Sequence, residues 1–181
     1  MVLVLDGSDE MNASELIVAG LLFFSPAFAA TPEDKSDPVK CLALNMYHEA
    51  RGQGSAGLLG VSSVVLNRVK DKRFPNTICE VIYQGPTRES WKTRQTPDPN
   101  DAVFYPVRDR CQFSWYCDGR SDEPKEKKVY QRLLTIASSI VYNNISFIDI
   151  TDGATHYHAD YVRPAWAKVK TRTTRIGNHI F

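Results

Sequence analysis

Apolar positions recur at three- and four-residue spacing through most of the chain and alternate only near its C-terminal end. Val39, Leu42, Ala43, Met46 and Ala50 form one stripe, which predicts an amphipathic helix over residues 38–51. Asp37 and Pro38 supply an N-cap and a proline at the first helical position, and Gly52 and Gly54 stop the helix. A second helix is predicted from Ser55, acting as N-cap, to Lys70. Its stripe is Leu58, Val61, Val65 and Val69, widened by Val64 and Leu66. Phe74-Pro75-Asn76 breaks the chain, and Asn76 is placed to cap a short helix carrying Ile78, Val81 and Ile82. Residues 85–110 are rich in Pro, Thr, Arg and Asp without a clear period, which predicts a long surface loop. Pro124 opens a further helix to about Asn143 along Val129, Leu133, Ile136 and Ile140. From Thr155 the run THYHADYV alternates and gives way to aromatic and basic residues, which predicts short strands and turns. The chain has no internal repeat. The expected fold class is α+β, a mainly helical domain over residues 38–181 with a small β element, and 181 residues suit one such domain.

Ahead of this domain the pattern is of another kind. An apolar core from Leu16 to Phe24 is followed by Ser25-Pro26 and by Ala27-Phe28-Ala29, a helix breaker and a small-x-small cleavage pattern. That is the layout of a secretory signal peptide over residues 1–29, with residues 30–37 as a polar linker. About nine apolar residues are too few to span a bilayer. The segment before them departs from the pattern: it holds Asp6, Asp9, Glu10 and Glu15 and no basic residue, whether translation starts at Met1 or at Met11. A signal anchor retained in the membrane is the alternative.

Removing residues 1–29 changes the charge. All 22 Lys and Arg remain while 4 of the 21 acids leave, so the net charge rises from +1 to +5. A modestly basic surface suits an anionic polymer without specifying which. The four cysteines, Cys41, Cys79, Cys111 and Cys117, form an even set, which in an oxidising compartment implies two disulfides with three possible connectivities. They lack the C-x2-C and H-x3–5-H spacing of a structural zinc site.

The carboxyl group with the most informative position is Glu49. It follows Met46 by three residues and Leu42 by seven, so at about 100° per residue it sits at the edge of the apolar stripe. His48 points away from that stripe, toward solvent. A carboxyl at such an edge loses hydration, which raises its pKa, as a general acid working near neutral pH requires. The glycines after it would let a long polymer approach without Cβ obstruction. The plainer alternative is a solvated glutamate paired with Arg51. Tyr47 lies about 160° from Glu49 and suits the core, whereas Asn45 shares its face and would either bond the acid or face water.

Other polar and aromatic residues suggest a groove. Gln112, Ser114 and Trp115 in the CQFSWYCD segment suit sugar binding, with ring faces stacking on C–H surfaces and the polar groups meeting hydroxyls or acetamides. The alternative is a packed aromatic turn. Tyr157, His158, Asn178 and His179 are placed to line a cleft from the C-terminal side. His156 and His158 alternate and would face one way, but no third metal ligand at suitable spacing accompanies them, so no metal site is assigned. GQGSAG (52–57) lacks the Lys-Ser/Thr of a phosphate-binding loop, and no G-x-S-x-G occurs.

Six blocks in order, YHEARG (47–52), VSSVVLNRV (61–69), FPNTICEVIYQ (74–84), QFSW (112–115), VRPAW (162–166) and RIGNHIF (175–181), resemble the SleB-type cell-wall hydrolase family. That family includes spore cortex-lytic enzymes and bacterial and phage relatives. The resemblance covers about residues 40–181 and implies a lysozyme-like fold and cleavage of peptidoglycan glycan strands beside N-acetylmuramic acid. The family's catalytic glutamate, in its Y-x-E-A-R-G motif, falls on Glu49. Members act as lytic transglycosylases, which need one carboxylate; a hydrolase would need a second, for which Asp118 and Glu80 are the candidates by motif. The expected enzyme needs no cofactor, binds peptidoglycan glycan strands as a monomer, and takes neither nucleic acid nor a stable place in the membrane after processing. It would be secreted or periplasmic, or encoded by a phage and directed at the host wall. The competing functions are an N-acetylmuramoyl-L-alanine amidase-type hydrolase and a non-catalytic cell-wall-binding module.

Overall fold

The computed structural model describes residues 35–95, 98–142 and 147–181. The signal-peptide expectation therefore lies outside the described residues, as does most of the linker. Four α-helices are the main regular elements of the described chain: α1 (Pro38–Ala50), α2 (Gly54–Lys70), α3 (Ile78–Ile82) and α4 (Lys127–Val141). The Asp37 side chain accepts from the Val39 amide at 2.9 Å and the Lys40 amide at 3.3 Å, so α1 starts where its cap sequence requires. α1 is the centre of the fold and packs against α2, α3 and α4. Contact on so many sides explains why Cys41, Leu42, Ala43, Asn45, Met46, Tyr47 and Ala50 are all buried.

The other boundaries move for local reasons. α2 begins at Gly54, with Gln53 in the cap position in place of Ser55. α3 is capped by Thr77, one residue beyond Asn76. The Thr77 hydroxyl accepts from the Glu80 amide at 3.2 Å and donates to Glu80 Oε2 at 2.7 Å, a reciprocal closure of the first turn. α4 starts three residues after Pro124, because the Tyr47 hydroxyl takes the Lys125 and Glu126 amides at 3.0 and 3.1 Å. Tyr47 is thus a core residue, as its position on α1 implied.

Within residues 85–110 the chain forms a hairpin rather than an unstructured loop. β1 (Thr87–Glu89) pairs antiparallel with β2 (Phe104–Pro106), Arg88 opposite Tyr105. Three-residue strands are too short to print an alternation on the sequence. Beyond α4 a second antiparallel sheet has the order β3-β5-β4, from His158–Ala159, His179–Ile180 and Arg175–Ile176. The architecture is the expected mainly helical α+β.

Two disulfides join the cysteines. Cys41–Cys79 ties α1 to α3, and Cys111–Cys117 closes the loop around a short 3₁₀ turn at Ser114–Cys117. The main core combines faces of α1, α3 and α4 with Val65, Phe113 and Trp115. A smaller one forms where Val64 and Ala154 meet Phe181. That meeting depends on Gly60, where an added Cβ would lie 2.8 Å from the Phe181 ring. Among the described residues no helix is long and apolar enough to cross a membrane.

Candidate active site

Glu49 occupies the last turn of α1 and is half-buried. Burial raises its pKa above the ordinary carboxyl value, and one hydrogen bond partly offsets the rise. The donor is Tyr157, whose hydroxyl reaches Glu49 Oε2 at 2.8 Å across 108 residues of sequence. The Tyr157 phenol is itself held far above its usual pKa, by burial first and by the Glu49 charge second. It therefore stays a neutral donor over the whole range in which Glu49 titrates. Among the described groups, no second carboxylate contributes to the Glu49 shift.

Arg51 does not pair with Glu49. Its Nε lies 2.8 Å from Glu126, and another of its nitrogens donates to the Tyr47 carbonyl at 3.0 Å. The surface pair that offered the plainer account of Glu49 is thus made with a different carboxylate.

The position of Tyr157 is set by α2. Asn67 donates to the Ala154 carbonyl at 3.0 Å and to Asp149 at 2.9 Å, and Arg68 Nε donates to the Thr155 carbonyl at 2.7 Å. Asp149 also accepts from the Thr151 amide and hydroxyl and from the Gly153 amide, which fixes the turn leading into residue 154. These bonds hold the Asp149 pKa well below the usual carboxylate range. Arg68 is 4% exposed, with its guanidinium lying between the rings of Phe74 and Phe113 at 5.1 and 5.4 Å. On its far side Tyr157 packs edge-on to His179 at 5.0 Å and tilted against Phe181 at 5.5 Å. Gln53 completes the frame by accepting from the Asn178 amide at 3.2 Å.

The remaining site candidates fall into separate places. Gln112 and Ser114 are exposed, and the Gln112 amide donates to the Gln84 carbonyl at 2.9 Å. Trp115 is 6% exposed and donates its indole N–H to Asn45 Oδ1 at 3.0 Å, so the ring is packed in the core. Asn45 consequently turns to Trp115; it neither meets Glu49 nor faces water. His48 also departs from expectation. It is half-buried, stacks on Trp115 at 4.7 Å and donates to the Asp122 carbonyl at 3.0 Å. Asn178 is exposed at the β4–β5 turn, and Glu80 is occupied in the α3 cap. Among the described residues no group of three or more His, Cys, Asp or Glu side chains is placed to hold a metal ion.

Four residues of this frame escaped notice in the sequence, Asn67, Arg68, Asp149 and Gln53. Arg68 did leave a signal: it continues the apolar stripe of α2 after Val61 and Val65, and a charge on such a stripe must be buried against something. Gln53 left none.

The cell wall hydrolase family model matches residues 52–181, most of the chain. The chain belongs to the cell wall hydrolase family. The matched segment begins three residues after Glu49, so it includes Tyr157, Arg68 and Gln53 but not the acid itself. The chain is similar to the spore cortex-lytic enzyme of Bacillus subtilis (strain 168), with 24% identity over 147 residues, 81% of this chain and 37% of that protein. It is similar to the spore cortex-lytic enzyme of Bacillus cereus at 25% over 144 residues, 79% of this chain and 43% of that protein. This cell wall hydrolase thus spans about two-fifths of the length of the curated relatives it matches. Among solved structures, the catalytic domain of the Bacillus cereus SleB protein aligns with 80% of this chain and 88% of its own, at 23% identity and a TM-score of 0.49.

Proposed function

We propose that this chain cleaves the glycan strand of peptidoglycan next to N-acetylmuramic acid, as a lytic transglycosylase with Glu49 as general acid and base. The observation that carries the proposal is Glu49 itself: half-buried, raised in pKa, and held by a tyrosine that cannot take its proton. Membership in a family of cell wall hydrolases and the similarity to spore cortex-lytic enzymes support the choice of polymer.

In the first step the protonated Glu49 gives its proton to the glycosidic oxygen while the C1–O bond breaks and an oxocarbenium-like centre develops. The Glu49 carboxylate then takes the proton of the muramic acid 6-hydroxyl, whose oxygen closes on C1. The product is a 1,6-anhydro sugar, no water is consumed, and Glu49 returns to its starting form. One carboxyl group serves both steps, which accords with a Glu49 whose shift involves no neighbouring carboxylate among the described residues. Tyr157 remains a donor throughout, stabilising the transient carboxylate after the first proton transfer. Gln112, Ser114 and Asn178 are exposed and free to meet sugar groups, while Trp115 would contribute by supporting the loop that carries Ser114.

The test is digestion of purified peptidoglycan with the full chain and mass spectrometry of the released muropeptides. Anhydro-muramic ends are expected. Reducing muramic ends would mean hydrolysis and would make Asp118 and Glu80 the next positions to replace. Intact glycan with freed peptide stems would overturn the role of Glu49.

A further inference from the structure

A cavity of about 380 Å³ lies beside Tyr157 rather than at Glu49. His156 and His158, the two neighbours of Tyr157 in sequence, both line it, and so do Trp166, Lys170, Arg172 and Phe181. The same run of chain thus sends one side chain to Glu49 and its two neighbours into the cavity. Phe181 touches both, lining the cavity and packing on the Tyr157 ring.

The chemistry of the lining is one-sided. Its formal charges are Lys170 and Arg172, no Asp or Glu lines it, and among the described residues no carboxylate pairs with either cation. Burial first, and then the charges of Lys170, Arg68 and Arg73, lower the His156 pKa to about 4. Trp166 stands against both histidines at 5.4 and 5.6 Å, so three rings form an aromatic wall beside the cations. A long polyanion would call for cations strung along an open surface. A half-open cavity with two cations and an aromatic wall suits a small group that carries carboxylates on an aliphatic frame.

We infer that this cavity binds the carboxylate-bearing peptide stem of peptidoglycan. The inference rests on the glycan-cleaving role of Glu49. The muramic acid at the cleaved bond carries the stem on its lactyl group, and the cavity is linked to the acid through Phe181 and Tyr157. Lys170 and Arg172 would pair with stem carboxylates, and Trp166 would cover the aliphatic part.

The decisive experiment is a titration of the full chain with the tripeptide L-Ala–γ-D-Glu–diaminopimelate, followed by NMR at the Trp166 indole and the His156 and His158 rings. Saturable shifts at these three residues are expected. Binding should weaken at least about tenfold for the peptide with its carboxylates amidated and in the K170A/R172A double variant, the loss of a charge-assisted hydrogen bond being worth that factor or more. Equal binding of the amidated peptide, equal binding by the double variant, or no shift at these residues would overturn the inference. A second readout keeps this result apart from the fate of Glu49: the ratio of cleavage rates for stem-bearing and stem-stripped glycan strands. A ratio above about 10 that falls toward 1 in the double variant supports the cavity's role. A ratio near 1 in the native protein, with both strands cleaved, refutes it while leaving the glycan-cleaving role intact. Tripeptide binding with neither strand cleaved would refute that role and leave a stem-binding module.

Discussion

The α1–α2 pair and the segment from Phe147 to Phe181 hold opposite halves of the candidate site and are built by different physics. The helices are fixed largely by signals close in sequence, the Asp37 cap and the apolar stripes, and a disulfide across 38 residues then staples α1 to α3. The C-terminal segment has two-residue strands and little core of its own. It is placed by side chains of α2, Asn67 and Arg68, that bond its carbonyls, and by Asp149, which organises its turn. The acid comes from the self-sufficient region and its hydrogen-bond donor from the dependent one. The geometry of the candidate site therefore rests on the weaker of the two, and each region can be perturbed separately.

The largest effect is expected from E49Q. Peptidoglycan cleavage should fall by about a hundredfold to ten-thousandfold, the usual worth of a general acid. Stability should not fall with it. Burial raises the Glu49 pKa, so the folded state binds this proton more tightly than the unfolded chain, and stability declines as pH rises through that range. Removing the group should leave Tm at pH 7 unchanged or higher and abolish this decline. Retained cleavage in E49Q would refute the catalytic role outright.

D149A attacks the dependent region. Loss of the bonds to Asn67, Thr151 and Gly153 should cost about 2 kcal/mol or more in urea unfolding. The Asp149 pKa is depressed by folding, so its contribution is present above the unfolded carboxyl value and is lost as pH falls through the folded one. The gap between the variant and the native protein should begin to narrow below about pH 4 and close only as pH passes below the depressed folded value. A gap that persists into strong acid would show that Asp149 acts by something other than its charge.

Y157F is a gentler cut across the boundary between the two regions. Cleavage should drop by about tenfold, the worth of one hydrogen bond to a carboxylate. The Tyr157 bond lowers the Glu49 pKa, so removing it raises that pKa and should move the alkaline limb of the pH–rate profile to higher pH. A limb that stays still while activity drops would make Tyr157 a packing residue.

The smallest effect is expected from H156Q. The native His156 pKa is lowered to about 4, so it stays neutral when folded but takes a proton at about 6.5 when unfolded. Native stability should therefore be full above that value and fall as pH drops from about 6.5 toward 4, and the glutamine variant should lack this slope. Thermal melts at a series of pH values decide it, and an unchanged slope would place the titrating group elsewhere.

The sequence by itself determined what neighbours within a few residues decide. Asp37-Pro38 placed the start of α1, the stripe of Leu42 and Met46 set its buried face, and Glu49 followed at the edge of that face. The six ordered blocks, too, pointed to the family that the chain belongs to. Tertiary structure decided the rest, since it depends on distances the chain does not encode locally. Four cysteines allowed three pairings until folding brought Cys41 to Cys79 across 38 residues. Trp115 could have faced a sugar until Asn45, 70 residues away, took its N–H. The bond from Tyr157 to Glu49 and the cavity formed by His156, His158, Lys170 and Arg172 arise where α2 captures a segment of little intrinsic period. No pattern of spacing announces such a capture, because its energy lies in side-chain bonds between residues far apart in sequence.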